Sequence, residues 1–505
     1  MGVSERAVKN TAYLYVRMII SMFVGLYSVR LVLNALGEED YGIFNLIGGV
    51  IAMFTFLNGA MIVSTQRYLS YYIGKKELNK LSSVFQSSLV INFLISIIML
   101  VIMQVAFIFL FDGFLNIEVD RIGSAKIVYQ TTVFSAFFIV NAITFDAAII
   151  AHEDIHVDAI VGILEALLKL GVAISLLWIT DYSLEIYSGL LLLTIIISRL
   201  IKVFFCYYKY PEYKFKKYDV SRSLVIEMLS FAGWNTFGAA CGIFRQHGLA
   251  IILNLFYGTV INASFGISNQ INGQVKGFSE NMLKALRPQI ISSEGEGNRV
   301  RMLDLSLKAC KYSFLLLFFI ILPIVLEMET ILTLWLGTLS KSVVIFCKLT
   351  LLLSLVNTLT VGLQTAQQSI GNIKLYQSII GGVILTTPIF GYLVLKSGGS
   401  PQSVLYVAIL IEFLACCLRI LYLNKFSGLS LVDYLYKVLL PIIFIVLIGS
   451  SINIYINGVI HLTGFIRVLL VSVISSISLI ILVYFIGMDV REKSYIHSLI
   501  SRIKI

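Results

Sequence analysis

Apolar residues run along this chain in fourteen long stretches, near 11–35, 41–63, 83–111, 127–150, 157–178, 184–208, 227–255, 259–282, 305–326, 343–367, 376–396, 402–423, 434–456 and 464–487. Each approaches or exceeds the roughly 20 residues that a helix needs to cross a bilayer core. The connections between them are short and polar, too short for a soluble domain of ordinary size. The pattern predicts an all-α polytopic membrane protein of about fourteen transmembrane helices. The second and eighth stretches are the least apolar.

The charges sort by connection. With the N-terminus inside, inner connections carry Arg67, Lys75, Lys76 and Lys80, then Lys209, Lys214, Lys216, Lys217 and Arg222, then Lys284, Arg287, Arg299 and Arg301. The tail adds Arg491, Lys493, Arg502 and Lys504. Outer connections carry Glu38, Glu39, Asp40, Asp112, Asp120, Asp181, Glu185, Glu327 and Glu329; the exceptions are Arg121, Lys126, Lys341 and Lys396 outside, and the inner connection near 151–156, which has no Lys or Arg. Lys and Arg asymmetry sets orientation, so both termini are expected in the cytoplasm.

The basic stretch 209–222 divides the chain after six spans. The limits expected are a six-helix bundle over 1–208, a cytoplasmic linker over 209–222, a second six-helix bundle over 223–424, and two extra helices with a basic tail over 425–505. The second half weakly echoes the first at an offset near 220. Leu33, Asn34 and Gly37 match Leu253, Asn254 and Gly258; Arg67 matches Arg287; Asn141-x-x-Thr144 recurs as Asn357-x-x-Thr360. An even number of spans per half makes the repeat parallel, with a substrate site expected between the halves.

Composition agrees. Of 505 residues, 58% are hydrophobic and only 13% charged, against about 25% charged in a soluble domain. The net charge of +10 would suggest nucleic acid for a soluble protein. In a membrane protein it reflects inward-facing basic loops and anionic headgroups, so no nucleic-acid partner is expected. The six cysteines lie in or beside apolar segments without a C-x-x-C pair, and read as packing residues. The N-terminus lacks Ser or Thr at position 6 and so misses the myristoylation pattern. The first apolar segment is too long for a signal peptide and has no small-residue cleavage site, so it should remain as the first span.

Charges inside spans are the informative residues. A charge at the bilayer centre costs about 3 kcal/mol or more, so it should face protein or a water-filled cavity. Arg17 and Arg30 lie in the first span, about 20 Å apart along the axis and on nearly opposite sides. Each can line a cavity or snorkel to headgroups, and Arg30 can pair with Glu38 or Asp40. Arg245 lies deeper, in span seven, as does His247. In span eight, Asn262, Asn269, Asn272 and Lys276 fall within an arc of about 80°. Span ten has a similar stripe of Asn357, Thr360, Gln364 and Gln368. These amides can bind sugar hydroxyls or bond between helices. Substrate-binding candidates are therefore Arg17, Arg30, Arg245, Lys276, Asn269, Asn272, Asn357 and Gln364. Asp146, Glu165 and Glu412 are ion-coupling candidates. Glu165 also stands four residues before Lys169, the favoured order for a helical ion pair, and Glu412 shares a face with Arg419. A mainly cationic polar pathway points to an anionic cargo.

His152-Glu153-Asp154-Ile155-His156 matches the zinc-protease pattern H-E-x-x-H. It sits in a short connection with no third ligand motif following, so a chance match is the reading adopted and no metal is expected. With no Walker A or dinucleotide fingerprint, neither ATP drive, a cofactor nor an enzymatic activity is expected.

The segment Arg30-Leu31-Val32-Leu33-Asn34-Ala35-Leu36-Gly37-Glu38-Glu39-Asp40-Tyr41-Gly42-Ile43-Phe44 resembles the end of the first span in Wzx-like polysaccharide-export flippases. These belong to the multidrug/oligosaccharidyl-lipid/polysaccharide (MOP) superfamily. Asn10-Thr11-Ala12-Tyr13 and Leu286-Arg287-Pro288-Gln289-Ile290 are also similar to that family. The resemblance implies a MATE-like pair of six-helix bundles alternating between inward-open and outward-open states in the bacterial cytoplasmic membrane. It implies an undecaprenyl-pyrophosphate-linked oligosaccharide as substrate, for O-antigen or capsule, with membrane lipids and polysaccharide polymerase machinery as partners. The two extra spans keep a lipid II flippase open. A MATE-type drug/cation antiporter is the alternative from another class. Its members commonly use buried carboxylates in the first or seventh span, where this chain has Arg17, Arg30 and Arg245.

Overall fold

In the computed structural model, residues 3–52, 55–111, 119–179, 181–213, 220–336, 341–460, 462–489 and 492–494 are described. Of the basic linker, residues 214–219 lie outside them, as do Arg491, Arg502 and Lys504 of the tail. The described residues form helices and turns without a strand. In chain order the helices are α1 (Val3–Ala52), α2 (Thr55–Lys75), α3 (Leu78–Phe109), α4 (Ile122–Ala151), α5 (Ile155–Ser175), α6 (Ser183–Lys209), α7 (Arg222–Gly295) and α8 (Arg299–Leu326). There follow α9 (Met328–Leu336), α10 (Lys341–Thr358), α11 (Val361–Ile370), α12 (Lys374–Lys396), α13 (Ser403–Ser427), α14 (Leu431–Tyr434), α15 (Leu440–Val459) and α16 (Gly464–Leu482). Among the described residues, 12 stretches of helix are long and apolar enough to cross a membrane. They coincide with twelve of the fourteen expected spans. The other two are helical over their described residues; 259–282 is more polar, and 41–63 includes residues 53–54, which lie outside the described residues.

Two glycines turn long helices into pairs. α1 breaks at Gly37 (φ 77°, ψ 172°) and α7 at Gly258 (φ 74°, ψ −168°). These positive φ values are strained for any residue with a Cβ. The two positions are those matched at the sequence level, and further equivalences follow at the same spacing. Lys76 and Gly297 both adopt left-handed φ, at 58° and 76°. α3 then begins at Leu78 and α8 at Arg299. The repeat is thus written in backbone conformation more clearly than in side chains.

The tenth expected span is not one helix. α10 ends at Thr358, and α11 begins at Val361 after Thr360 leaves helical geometry (φ −123°). The Leu359 carbonyl at the break accepts the Tyr434 hydroxyl at 3.0 Å. Asn357 and Thr360 therefore do not share a helix with Gln364 and Gln368, as the polar stripe had implied. Likewise Lys284 and Arg287, read as connection charges, lie inside α7, which continues to Gly295.

The chain packs as two units, residues 1–239 with 284–298, and residues 240–283 with 299–505. In the first, α1 packs along α5 and α4 along α6, while α2 and α3 lie on α4. An apolar cluster of Val32, Leu36, Ile43, Ile47, Tyr129 and Leu176 fills the end near Gly37. Polar bonds tie α2, α3 and α4 where side chains are small: Thr65 to Ser88 (2.8 Å), Asn92 to Thr144 (2.9 Å) and Asn141 to Ser96 (2.8 Å). At the other end, an ideal Cβ on Gly74 would stand 2.2 Å from the Ser292 carbonyl oxygen, and one on Gly295 would stand 2.1 Å from that of Tyr71. Backbones of α2 and α7 meet there with no side chain between them.

In the second unit α12 packs along α13, and α8 carries α10 and α11. The two last spans, α15 and α16, pack on each other and on α8. Gly449 lets α15 approach Leu479 of α16 and Phe318 of α8. Arg467 on α16 donates to Glu327 at 2.7 Å and to Asn457 at 2.9 Å.

Candidate functional site

The first unit holds a cavity of about 500 Å³ between α1, α5 and α6. Its charged lining is Arg17, Glu165, Lys169, Arg199 and Lys202, four cations against one carboxylate. Ser21, Ser28, Tyr41 and Tyr187 add hydroxyls.

The cations are held by carboxylates mostly set back from the cavity. Asp158 takes Lys202 on Oδ1 at 2.7 Å, and both Arg17 (2.8 Å) and Lys284 (2.7 Å) on Oδ2. Asp146 takes Lys202 at 2.6 Å and Arg199 at 3.3 Å. Glu165 takes Lys169 at 2.8 Å and Arg199 at 3.7 Å. Five cations thus share three carboxylates, leaving two positive charges in excess. The side chain of Lys202 is only 5% exposed, a depth at which an unshared ammonium would be costly. Gly162 stands one turn after Asp158 on α5. A Cβ there would lie 2.2 Å from Arg17 Nε, so this glycine gives Arg17 room to lie flat across α5.

The second unit has a tighter cluster. Glu412 on α13 is fully buried and accepts from Arg245 (2.5 Å), Arg419 (2.9 Å) and Asn357 (2.8 Å). Arg419 also donates to Thr360 at 3.0 Å. Arg245 is 20% exposed and Arg419 2%, so Arg245 alone of the two reaches toward open space.

The structure therefore gathers Arg17, Asp146 and Glu165 in one place and Arg245, Asn357 and Glu412 in another. Asn272 accepts from Ser354 at 2.6 Å. Lys276 reaches Glu280 at 3.4 Å, both well exposed. Asn269 and Gln364 are half-buried, and Arg30 is exposed. Asp40, one of the carboxylates considered for Arg30, pairs with Arg121 at 3.4 Å. Sequence reasoning passes over Arg199 and Lys202 and treats Lys284 as a loop charge. Their signal was present: Arg199 and Lys202, three apart in an apolar helix, share a face.

The H-E-x-x-H segment does not form a zinc-protease helix. Glu153 is left-handed (φ 61°), and the turn there separates His152 at the end of α4 from His156 within α5. His152 stacks on Tyr210 at 4.0 Å and shares a hydrogen bond with Tyr213 at 2.8 Å. Burial in this aromatic pocket pushes its pKa down to about 4. Lys209 and Tyr210 both donate to Asp154, at 2.7 and 2.6 Å, so the segment following α6 is stapled to the α4–α5 turn.

No protein-family model matches this sequence, and no curated protein matches it. Solved structures do. A MATE protein in its bent conformation superimposes with a TM-score of 0.74 at 15% identity, covering 85% of this chain and 98% of that one. The fold is that of MATE transporters. A multidrug resistance MATE family transporter in an outward-facing conformation gives a TM-score of 0.72 at 14% identity, over 85% and 96% of the two chains. A MOP superfamily transporter from Pyrococcus furiosus, described as having a binding pocket of reverse polarity that suggests a different function, gives 0.71 at 15% identity, over 85% and 98%. At such identities the likeness establishes the MATE-like fold alone.

Proposed function

We propose that this chain is a flippase that carries lipid-linked oligosaccharide repeat units, joined to their lipid through pyrophosphate, across the bacterial cytoplasmic membrane by alternating access. Both termini would be cytoplasmic and the product would serve surface polysaccharide assembly. The observation that carries this reading is the charge of the first-unit cavity, four cations against one lining carboxylate. A pyrophosphate leaving the headgroup region loses its hydration and needs donors in return. Arginine supplies several in a planar fork and stays ionised when partly desolvated. Hydroxyls from Ser21, Ser28, Tyr41 and Tyr187 suit sugar hydroxyls.

A drug/cation antiporter is the second reading, supported by the fold it shares with a multidrug resistance MATE transporter and by Asp146, Asp158 and Glu165 beside the first-unit cavity. Each of these is already matched by at least two cations, which leaves little negative potential for a cationic drug. Complementation of surface-glycan display in a flippase-deficient host separates the two. At matched membrane expression, Arg17→Lys should keep part of the activity, Arg17→Ala should impair it and Arg17→Glu should abolish it. Equal activity of the three variants would reject the anionic-cargo reading.

A further inference from the structure

We propose that Asp158 is a built-in competitor for the anionic cargo, releasing cavity cations to it and handing its own charge to Lys284. The inference rests on the anionic-substrate reading above and assigns a mechanism to that site. Its basis is the sharing of one carboxylate. Arg17 and Lys202 both line the cavity, and both hydrogen-bond Asp158. Lys284 does not line the cavity, yet it meets Arg17 on the same oxygen, Oδ2.

An anion in the cavity must draw Arg17 and Lys202 away from Asp158, at least in part. Asp158 is too buried, at 6% side-chain exposure, to turn to water instead. Its remaining partner is Lys284, the only one of the three on α7. Loading the cavity therefore tightens the Asp158–Lys284 pair. By linkage, anything that strengthens or removes that pair alters anion affinity by the same coupling. Asp158 is a positioning residue in this scheme, because it touches the cations and not the cargo. Gly162 keeps Arg17 close enough to be shared.

The test is titration of inorganic pyrophosphate into the purified full-length protein in lipid nanodiscs. Asp158→Asn should bind about tenfold more tightly than the wild type, because two charge-assisted hydrogen bonds no longer compete. Lys284→Met should bind roughly fivefold more weakly, although Lys284 lies off the cavity, because Asp158 then holds Arg17 and Lys202 harder. In the Asp158→Asn background the Lys284→Met effect should vanish. Equal or weaker binding by Asp158→Asn, in a wild type that does bind, overturns the proposal while leaving the anionic cavity standing. So does a Lys284→Met effect that persists in the Asp158→Asn background, since that is plain loss of nearby charge. If Asp158→Asn is not recovered folded, the same cycle is run with Asp158→Ser: a Lys284→Met weakening that vanishes in that background supports the proposal, and one that persists, or unchanged or tighter binding by Lys284→Met alone, overturns it. Absence of pyrophosphate binding in the wild type and every variant rejects the anionic-cargo reading itself.

Discussion

Glu412→Gln isolates the most buried charge of the second unit. The substitution keeps shape and one carbonyl acceptor but removes the charge that faces Arg245 and Arg419. Breaking a buried ion pair by deleting one partner costs about 3–5 kcal/mol. Here the two arginines differ. Arg245, at 20% exposure, can recover some hydration, whereas Arg419, at 2%, cannot. Its bonds to the Thr360 hydroxyl and the Cys416 sulfur leave it two neutral acceptors. The lower end of the range, about 3 kcal/mol, is therefore expected. For a cooperative block of about 250 residues this lowers the melting temperature by roughly 6–12 °C. The assay is thermal unfolding of detergent-purified protein, followed by tryptophan fluorescence and by light scattering. Adding Arg419→Gln to Glu412→Gln should recover about half of the loss, since the stranded cation is gone. A melting temperature within a degree of wild type would refute the reasoning that Glu412 holds these arginines in the fold. If transport were then lost at unchanged stability, Glu412 would instead serve ion coupling.

Gly74→Ala should destabilise the first unit by about 1–3 kcal/mol, because its Cβ would need the Ser292 carbonyl, 2.2 Å away, to retreat by roughly an ångström; Gly295→Ala should do the same, and unchanged melting in either would contradict the close approach. His152 is a base whose folded pKa is pushed from 6.5 down to about 4. Its contribution is complete above pH 6.5 and is lost as pH falls toward 4, about 3 kcal/mol; His152→Phe should flatten that part of a stability-versus-pH curve measured by chemical denaturation. A topology reporter fused at the C-terminus should read cytoplasmic and one inserted near Asp120 external, while the opposite pair of readings would invert the orientation.

Much of the fold is legible in the sequence because bilayer-length apolar runs leave few alternatives to helices. The eighth span is the polar one, carrying Asn269, Asn272 and Lys276, whereas the second holds only Asn45 and Asn58 as amides and no charge. Gly37 and Gly258 announce the helix breaks, since their type fits the left-handed φ they adopt. The break between α10 and α11 is less legible. No proline or glycine marks positions 358–360, and the geometry there is supported from other helices by Arg419 and Tyr434. The matched Asn-x-x-Thr pairs show the same limit. Asn141 and Thr144 bond to hydroxyl and amide groups of α3, whereas Asn357 and Thr360 serve Glu412 and Arg419. Spacing identifies residues that occupy equivalent turns, but the partners across the gap decide what they do. Asp158 stands alone as a carboxylate near the start of the fifth apolar run, and its three cations come from α1, α6 and α7, too far apart in sequence for any local pattern to join them.

The meeting of α2 and α7 carries a logic usually found between separate molecules. Gly74 abuts the backbone at Ser292 and Gly295 abuts the backbone at Tyr71; shifting either contact by 221 positions yields the other. Position i touches the counterpart of j, and j touches the counterpart of i, which is the rule of an isologous interface in a two-fold dimer. One surface has been written twice into a single chain and presented to itself. Such a surface is constrained from both sides at once: a residue too large at 74 cannot be relieved by trimming 295, which is already bare. A single patch, copied, supplies both halves of its own complement.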